Sequence, residues 1–205
     1  DKNADFDAEM HKIAREVESE GGTPYIIPGG ASSPVGDLGY VACAEELLQQ
    51  FEEQDVSFDH MVIPSGSAGT HAGLIVGLRG NGSDLPILGI GVNVPRNEQE
   101  DKVFELACDT AEFVGKRGCV TRADIVADCN YVGGGYGVPT EAMNEAVLLL
   151  ARTEGLLFDP VYTGKALAGL IDYVRQGRFG KGQAILFVHT GGVAGLFAYG
   201  DQLAL

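Results

Sequence analysis

Asp59-His60-Met61-Val62-Ile63-Pro64-Ser65-Gly66-Ser67-Ala68-Gly69-Thr70-His71-Ala72-Gly73-Leu74 is the stretch that decides the fold. Met61-Val62-Ile63 is a buried-type strand, the next residues are a loop of small side chains, and a helical pattern runs over 68–78. Loop N–H groups at a helix start are unsatisfied, and the helix dipole favours negative charge there. Gly66 and Gly69 let the backbone curl around an anion, Ala68 lies between them, and Ser67 and Thr70 bring hydroxyls. Neither a Walker lysine nor a GxGxxG fingerprint is present, so the spacing favours a phosphate ester over a nucleoside triphosphate or a dinucleotide. Packing alone is the competing explanation for these glycines. Gly69, Gly73 and Gly77 recur every four residues and give the helix one bare face, predicted to lie on the sheet.

Outward from this unit the same alternation continues. An amphipathic helix over 5–20 stops at Gly21-Gly22, and Tyr25-Ile26-Ile27-Pro28 reads as a short strand. A helix over 38–53 precedes the central unit; strand 86–92 and helix 97–115 follow it. Next come a glycine-rich loop over 131–138, helix 140–154, strand 156–158, helix 163–176, strand 185–188 and a short helix after Thr190-Gly191-Gly192. Strands separated by helices of this length indicate right-handed βαβ crossovers. The predicted class is α/β, with a mainly parallel sheet flanked by helices and no linker long enough to divide the chain.

Composition narrows the partners. The chain has 205 residues, 30 glycines and a net charge of −15. Glycine stands at about twice its usual share of roughly 7%, without the three-residue period of collagen. So acidic a chain lacks the basic stripe of a nucleic-acid binder and is poorly suited to anionic lipid. Backbone amides and hydroxyls need no cation, so a phosphate ester remains a fitting ligand. No secretory leader or membrane-length apolar run is visible, and Cys43, Cys108, Cys119 and Cys129 form no CxxC pair. They read as reduced, mostly buried thiols of a cytoplasmic protein, and no metal site is expected. Asn81-Gly82-Ser83 reads as a turn.

Beyond the loop, Ile185-Leu186-Phe187-Val188-His189-Thr190-Gly191-Gly192 is a second strand–turn–helix unit. Ligands of open parallel sheets lie beyond the carboxyl ends of strands, so both glycine loops are expected to face one crevice. Thr190 can hydrogen-bond a ring heteroatom there or serve as a helix cap. His189 reads as a packed core residue; His71 has either a structural role or a share in neutralising a phosphate. Tyr136, in Gly135-Tyr136-Gly137-Val138-Pro139, and Tyr162, before Thr163-Gly164-Lys165, lie at loop edges. Phenols placed there orient a carboxylate, or shuttle a proton if their pKa is lowered. Half-buried packing is the plainer role for each.

Five segments, PGGASSPVGDLGY (28–40), SGSAGTHAGL (65–74), GYGVP (135–139), LLFDPVYTGKALAGLID (156–172) and ILFVHTGG (185–192), occur in an order that resembles one family. It is the 1-aminocyclopropane-1-carboxylate deaminase and D-cysteine desulfhydrase family of fold-type II pyridoxal-phosphate enzymes, whose large domain resembles the tryptophan synthase β chain. The resemblance implies pyridoxal 5'-phosphate as cofactor. Gly66, Ser67, Ala68, Gly69 and Thr70 would hold its phosphate, Thr190 and Gly191 would seat the ring, and Tyr136, Tyr162 and Thr163 would line the substrate side. It implies β-elimination of D-cysteine to pyruvate, ammonia and hydrogen sulfide, with L-cysteate sulfo-lyase and 1-aminocyclopropane-1-carboxylate deaminase activities as alternatives.

The deaminases are similar but carry Glu where Thr163 stands and Leu where Thr190 stands. A carboxylate beside the pyridine nitrogen deepens the electron sink for ring opening, whereas expulsion of a thiolate needs less of it. Both threonines therefore favour elimination. Nothing in the chain matches the family's lysine-bearing GGNKxRK-like segment, and the resemblance gives Lys165 no such role. It implies that the N-terminal part with the Schiff-base lysine is missing. On this reading residues 1–24 are a remnant of the smaller domain and linker, and 25–205 are the cofactor domain. The expected partners are a small amino-acid substrate and either a second copy in a homodimer or a second chain carrying the N-terminal part. A non-catalytic fragment, and a sugar-phosphate or nucleotide binder, are the readings from other classes.

Overall fold

Four parallel strands carry the architecture of the computed structural model, which describes residues 5–203. They are β1 (His60–Ser65), β2 (Ile87–Gly91), β3 (Val126–Asp128) and β4 (Ile185–Phe187), in the order β3-β2-β1-β4. Val62 of β1 is in register with Leu88 on one side and Phe187 on the other. The helices are α1 (Phe6–Ser19), α2 (Pro34–Gln54), α3 (Gly69–Gly80), α4 (Arg96–Phe113), α5 (Glu141–Glu154) and α6 (Thr163–Arg175).

Side chains of β1 alternate between two cores, as period-two geometry requires. Met61 and Ile63 join Leu74, Ile75, Leu78, Val103 and Ala107 beneath α2, α3 and α4. Val62 joins Leu88, Ile90 and Ala166 on the α6 side, beside a cluster of Met143, Val147, Phe158 and Leu167. Strands buried on both faces read as continuous apolar runs, hence the plain Met-Val-Ile and Pro-Ile-Leu signals.

Local chemistry sets the helix ends. Ser33 Oγ accepts from the Gly36 N–H at 3.2 Å ahead of Pro34, and Asp55 ends α2 in the left-handed region. Thr140 caps α5, which stops at Gly155 with φ 70°.

The bare face of α3 meets α2 rather than the sheet. A Cβ on Gly73 would come within 2.6 Å of Asp37 O and 2.7 Å of Tyr40 Cβ, and one on Gly77 within 2.5 Å of Ala44 Cβ. The apolar side of α3 takes the sheet, so the stripe without side chains is left for the neighbouring helix.

Two expected strands do not form. Residues 22–28 and 156–158 belong to no helix or strand, and neither stretch pairs with a strand among the described residues. A β-prone run becomes a strand only beside a ladder partner. The short β3 fell outside the sequence reading. Nor are the cysteines mostly buried: Cys108 is exposed, and Cys43, Cys119 and Cys129 are half-buried. None is in a disulfide, no described group could hold a metal ion, and no described helix is long and apolar enough to cross a membrane. Residues 1–4, at the start of the expected domain remnant, lie outside the described residues.

Candidate active site

The chain leaves β1 toward β2 through α3, while β4 lies on the other side of β1. The crevice beyond the carboxyl ends of β1 and β4 is therefore the topological switch point. A pocket of about 250 Å³ opens there, lined by residues 64–68, Thr70 and His71 from the first glycine loop and Thr190, Gly191 and Gly192 from the second. Tyr162 and Tyr40 complete its wall.

Residues 66–70 form a cradle at the start of α3. Ala68 has φ 87°, a conformation unfavourable for a side-chain-bearing residue. The Gly69 N–H donates to Ser32 Oγ at 3.2 Å. Among the described residues, nothing accepts from the N–H groups of Gly66, Ser67, Ala68 or Thr70. Four free amides at a helix N-terminus fit an anion. The turn at 29–31 closes over Ser67, where any Cβ on Gly30 (φ 67°) would overlap the Ser67 side chain. Gly66 lies under Tyr162: a Cβ there would stand 3.1 Å from Tyr162 Cε1.

Beneath the cradle the polar groups are buried. Ser65 Oγ accepts from Gln99 Nε2 at 2.9 Å, leaving its own hydrogen for His71 Nδ1 at 3.3 Å. The ring proton then sits on Nε2. Burial pushes the His71 pKa down to about 4, so the ring is neutral and lends an anion no positive charge. Asp37 is also buried, with Oδ2 accepting from Thr110 Oγ1 at 2.9 Å and Oδ1 without a partner in the structure. Burial raises its pKa to about 6, against the opposing effect of the Thr110 bond.

On the opposite wall Thr190 is half-buried, and its hydroxyl has no protein partner among the described residues. It is not a helix cap, because the turn at 193–199 begins after Gly192. His189 is exposed instead of being in the core. Its Nε2 lies 3.0 Å from Leu157 O, its Nδ1 accepts from the Gly191 N–H at 3.0 Å, and its ring stands edge-on to Phe158 at 4.5 Å. The outward turn at the strand end makes it a brace for the Thr190-Gly191 loop.

The two tyrosines meet. Their hydroxyl oxygens are 2.6 Å apart, with the rings edge to face at 5.8 Å. Tyr162 borders the pocket, while Tyr136 stands outside its immediate lining. Burial, and then the bond to Tyr136, hold the Tyr162 proton well above the usual phenol range. Tyr162 is therefore a hydrogen-bond donor and not a phenolate, the reverse of the lowered pKa a proton shuttle needs.

Thr163 is buried behind the pocket wall, its Oγ1 donating to Asp159 Oδ1 at 2.7 Å and accepting from the Asp159 N–H at 2.9 Å. Asp159 organises this corner. Its Oδ2 accepts from the N–H groups of Val161 and Tyr162, and its Oδ1 also from that of Thr163, all at 2.8 Å. Gly192 packs so tightly on it that a Cβ would come within 2.8 Å of Asp159 Cγ. The sequence reading overlooked Asp159 as a functional support. The signal was an Asp-Pro pair four residues before a helix, a capping pattern. Tyr40 was equally legible as the last residue of the 28–40 segment.

The fold and this crevice define a class. The chain belongs to the pyridoxal-phosphate-dependent enzyme family, whose model matches residues 3–191. It is similar, at 48% identity over 97% of its length, to D-cysteine desulfhydrase of Salmonella typhi, of which it covers 60%; the Salmonella newport (strain SL254) protein gives the same figures. The crystal structure of an ACC deaminase homologue superposes with a TM-score of 0.84 at 40% identity, over 94% of this chain and 57% of that one. A fungal L-serine ammonia-lyase from Rhizomucor miehei, at 17% identity and TM-score 0.51 over 82% of this chain and 56% of that one, shares the fold. The chain thus spans about 60% of the length of the curated relatives it matches.

Proposed function

We propose that this chain forms the cofactor-holding part of a lyase that converts D-cysteine and one water to pyruvate, ammonia and hydrogen sulfide. The reading is carried by one juxtaposition: the four amides at 66–68 and 70 and the Thr190 hydroxyl, all without a partner among the described residues, and Tyr162, bonded to Tyr136 behind it, border a single crevice. Pyridoxal phosphate, when bound, supplies an electron sink for the charge left at Cα. The free amides and helix dipole fit its phosphate without a cation, and the neutral Thr190 hydroxyl suits a ring nitrogen. Gly191 gives the backbone room at that edge. Tyr162, held protonated, turns its one hydroxyl hydrogen from Tyr136 to the substrate carboxylate when substrate is present, and Tyr136 then donates to the Tyr162 oxygen. Thr163 acts behind them by keeping Asp159 in place.

The proposal assigns the Schiff-base lysine to a part of the protein outside this chain. Among the described residues no lysine lines the pocket, and Lys165 is buried away from it with two carbonyl partners. Residues 5–24 contribute no buried side chain and leave Phe6 and Ile13 more than half exposed, which supports reading 1–24 as a remnant of a smaller domain and linker. The unpaired cysteines suit a reducing, cytoplasmic setting. Assembly as a homodimer belongs to the same proposal.

The test is product analysis of the full-length protein carrying this sequence, loaded with pyridoxal phosphate. Sulfide and pyruvate in equal amounts from D-cysteine are expected. Sulfite from L-cysteate, or ammonia from 1-aminocyclopropane-1-carboxylate, would move the chain to one of those activities. No product from any of them would overturn the reading.

A further inference from the structure

Lys165 is completely buried, and its ammonium has no carboxylate within ion-pair distance among the described residues. Its partners are two backbone carbonyls, Val132 O at 2.7 Å and Gly135 O at 3.0 Å. Burial without a counter-charge lowers its pKa, because desolvation disfavours the charged form. So costly an arrangement has a consequence in the loop it grips. Residues 131–137 have three glycines at positive φ, Gly133, Gly135 and Gly137, and no ladder or helix of their own.

That loop is tied at three points to α6 and the residue just before it. Tyr131 Oη donates to Asp172 Oδ2 at 2.6 Å, Lys165 takes the two carbonyls, and Tyr136 meets Tyr162 at 2.6 Å. Positions 165 and 172 are seven apart and so share one face of α6, and Tyr162 is the residue immediately before its first turn. Lys165 is the middle tie, one turn from Tyr162. One of its carbonyl partners belongs to Gly135, next to Tyr136, and the other to Val132, one residue after Tyr131.

We infer that Lys165 is a positioning residue for the substrate-facing phenol pair: its buried ammonium fixes the 131–137 backbone and so sets Tyr136 against Tyr162. The inference rests on the reading that this pair faces the substrate. A neutral side chain of equal length would leave two carbonyls without donors and free the loop to turn at its glycines.

The test compares the full-length, cofactor-loaded protein with its Lys165→Met, Lys165→Arg, Tyr136→Phe and Lys165→Met/Tyr136→Phe forms. Deuterium uptake needs no turnover. The 131–138 peptide should exchange roughly tenfold faster or more in K165M, as expected for lost charge-assisted bonds, while the 65–71 peptide is unchanged. K165R should restore part of the protection. In turnover, K165M should raise KM for the amino acid more than it lowers kcat, and adding Y136F should cost far less than the product of the single effects. Unchanged loop exchange in K165M, or independent multiplication of the two effects, would overturn the inference. If K165M does not fold, K165A with propylammonium replaces it: saturable recovery of loop protection supports the assignment, and no recovery sinks it. Absence of sulfide production would count against the proposed activity alone, since the exchange comparison stands without it.

Discussion

The two sides of the crevice are built in opposite ways. The cradle at 66–70 is one contiguous piece, supported from below by the fit of α3 on α2. The phenol edge joins distant segments, 131–137, 159–165 and 190–192, and side chains do the joining. The first is a single backbone segment resting on a helix packing, whereas the second exists only while Asp159 and Lys165 hold their partners. The two regions should therefore fail differently.

The largest effect should come from attacking the cradle's support. Gly77→Val drives a branched side chain into Val41 O and Ala44 Cβ, and the stability lost should be about 3 kcal/mol or more. Denaturant midpoints would read it as a loss spread over the whole fold. Asp159→Ala attacks the edge, leaving three N–H groups and one hydroxyl without their acceptor, at a cost of about 2–3 kcal/mol. Here phosphate-ester binding, followed by fluorescence titration, should be nearly intact while substrate KM rises. Equal loss of both would show that the regions are not independent.

The next effect belongs to the cradle side and depends on pH. In the fold Asp37 holds its proton up to about 6, against 3.8 normally, so its contribution is present in acid and fades as pH rises through that window. His71 behaves oppositely: its pKa of about 4, against 6.5, gives stability above 6.5 that is lost as pH falls. The two slopes nearly cancel in the native sequence. Asp37→Asn should leave stability climbing between pH 4 and 6.5, and His71→Gln should leave it falling between pH 4 and 6, each by up to about 3 kcal/mol. Parallel curves for both variants would refute the assignment. The smallest effect is expected for Tyr136→Phe, less than about 1 kcal/mol in stability, since the residue is half exposed. Its consequence should appear in substrate KM.

The same contrast explains what could be read in advance. The strand–loop–helix at 59–74 and the strand before Thr190 carry their information within one short window, and the parallel α/β class followed from them. Tyr136 and Tyr162 were recognisable as residues, but their meeting depends on Lys165 reaching Val132 O across the fold, which no local pattern encodes. The Tyr25–Pro28 and Leu156–Phe158 runs have strand composition without a neighbouring ladder. Val126-Ala127-Asp128 has a ladder with very little composition. His189 looked like core because its strand is apolar, yet the chain turns outward at that residue.

Ala68 carries one last implication. An L-residue at φ 87° is held there by its surroundings, since its own preference is for the other side of the map. The loop is thus a casting mould already set, not wax that takes the shape of what is pressed into it. A ligand arriving at such a loop gives up little to order it. Occupancy should accordingly follow how fast an anion reaches the crevice and how firmly the amides retain it, with no slow rearrangement of residues 66–70 in between.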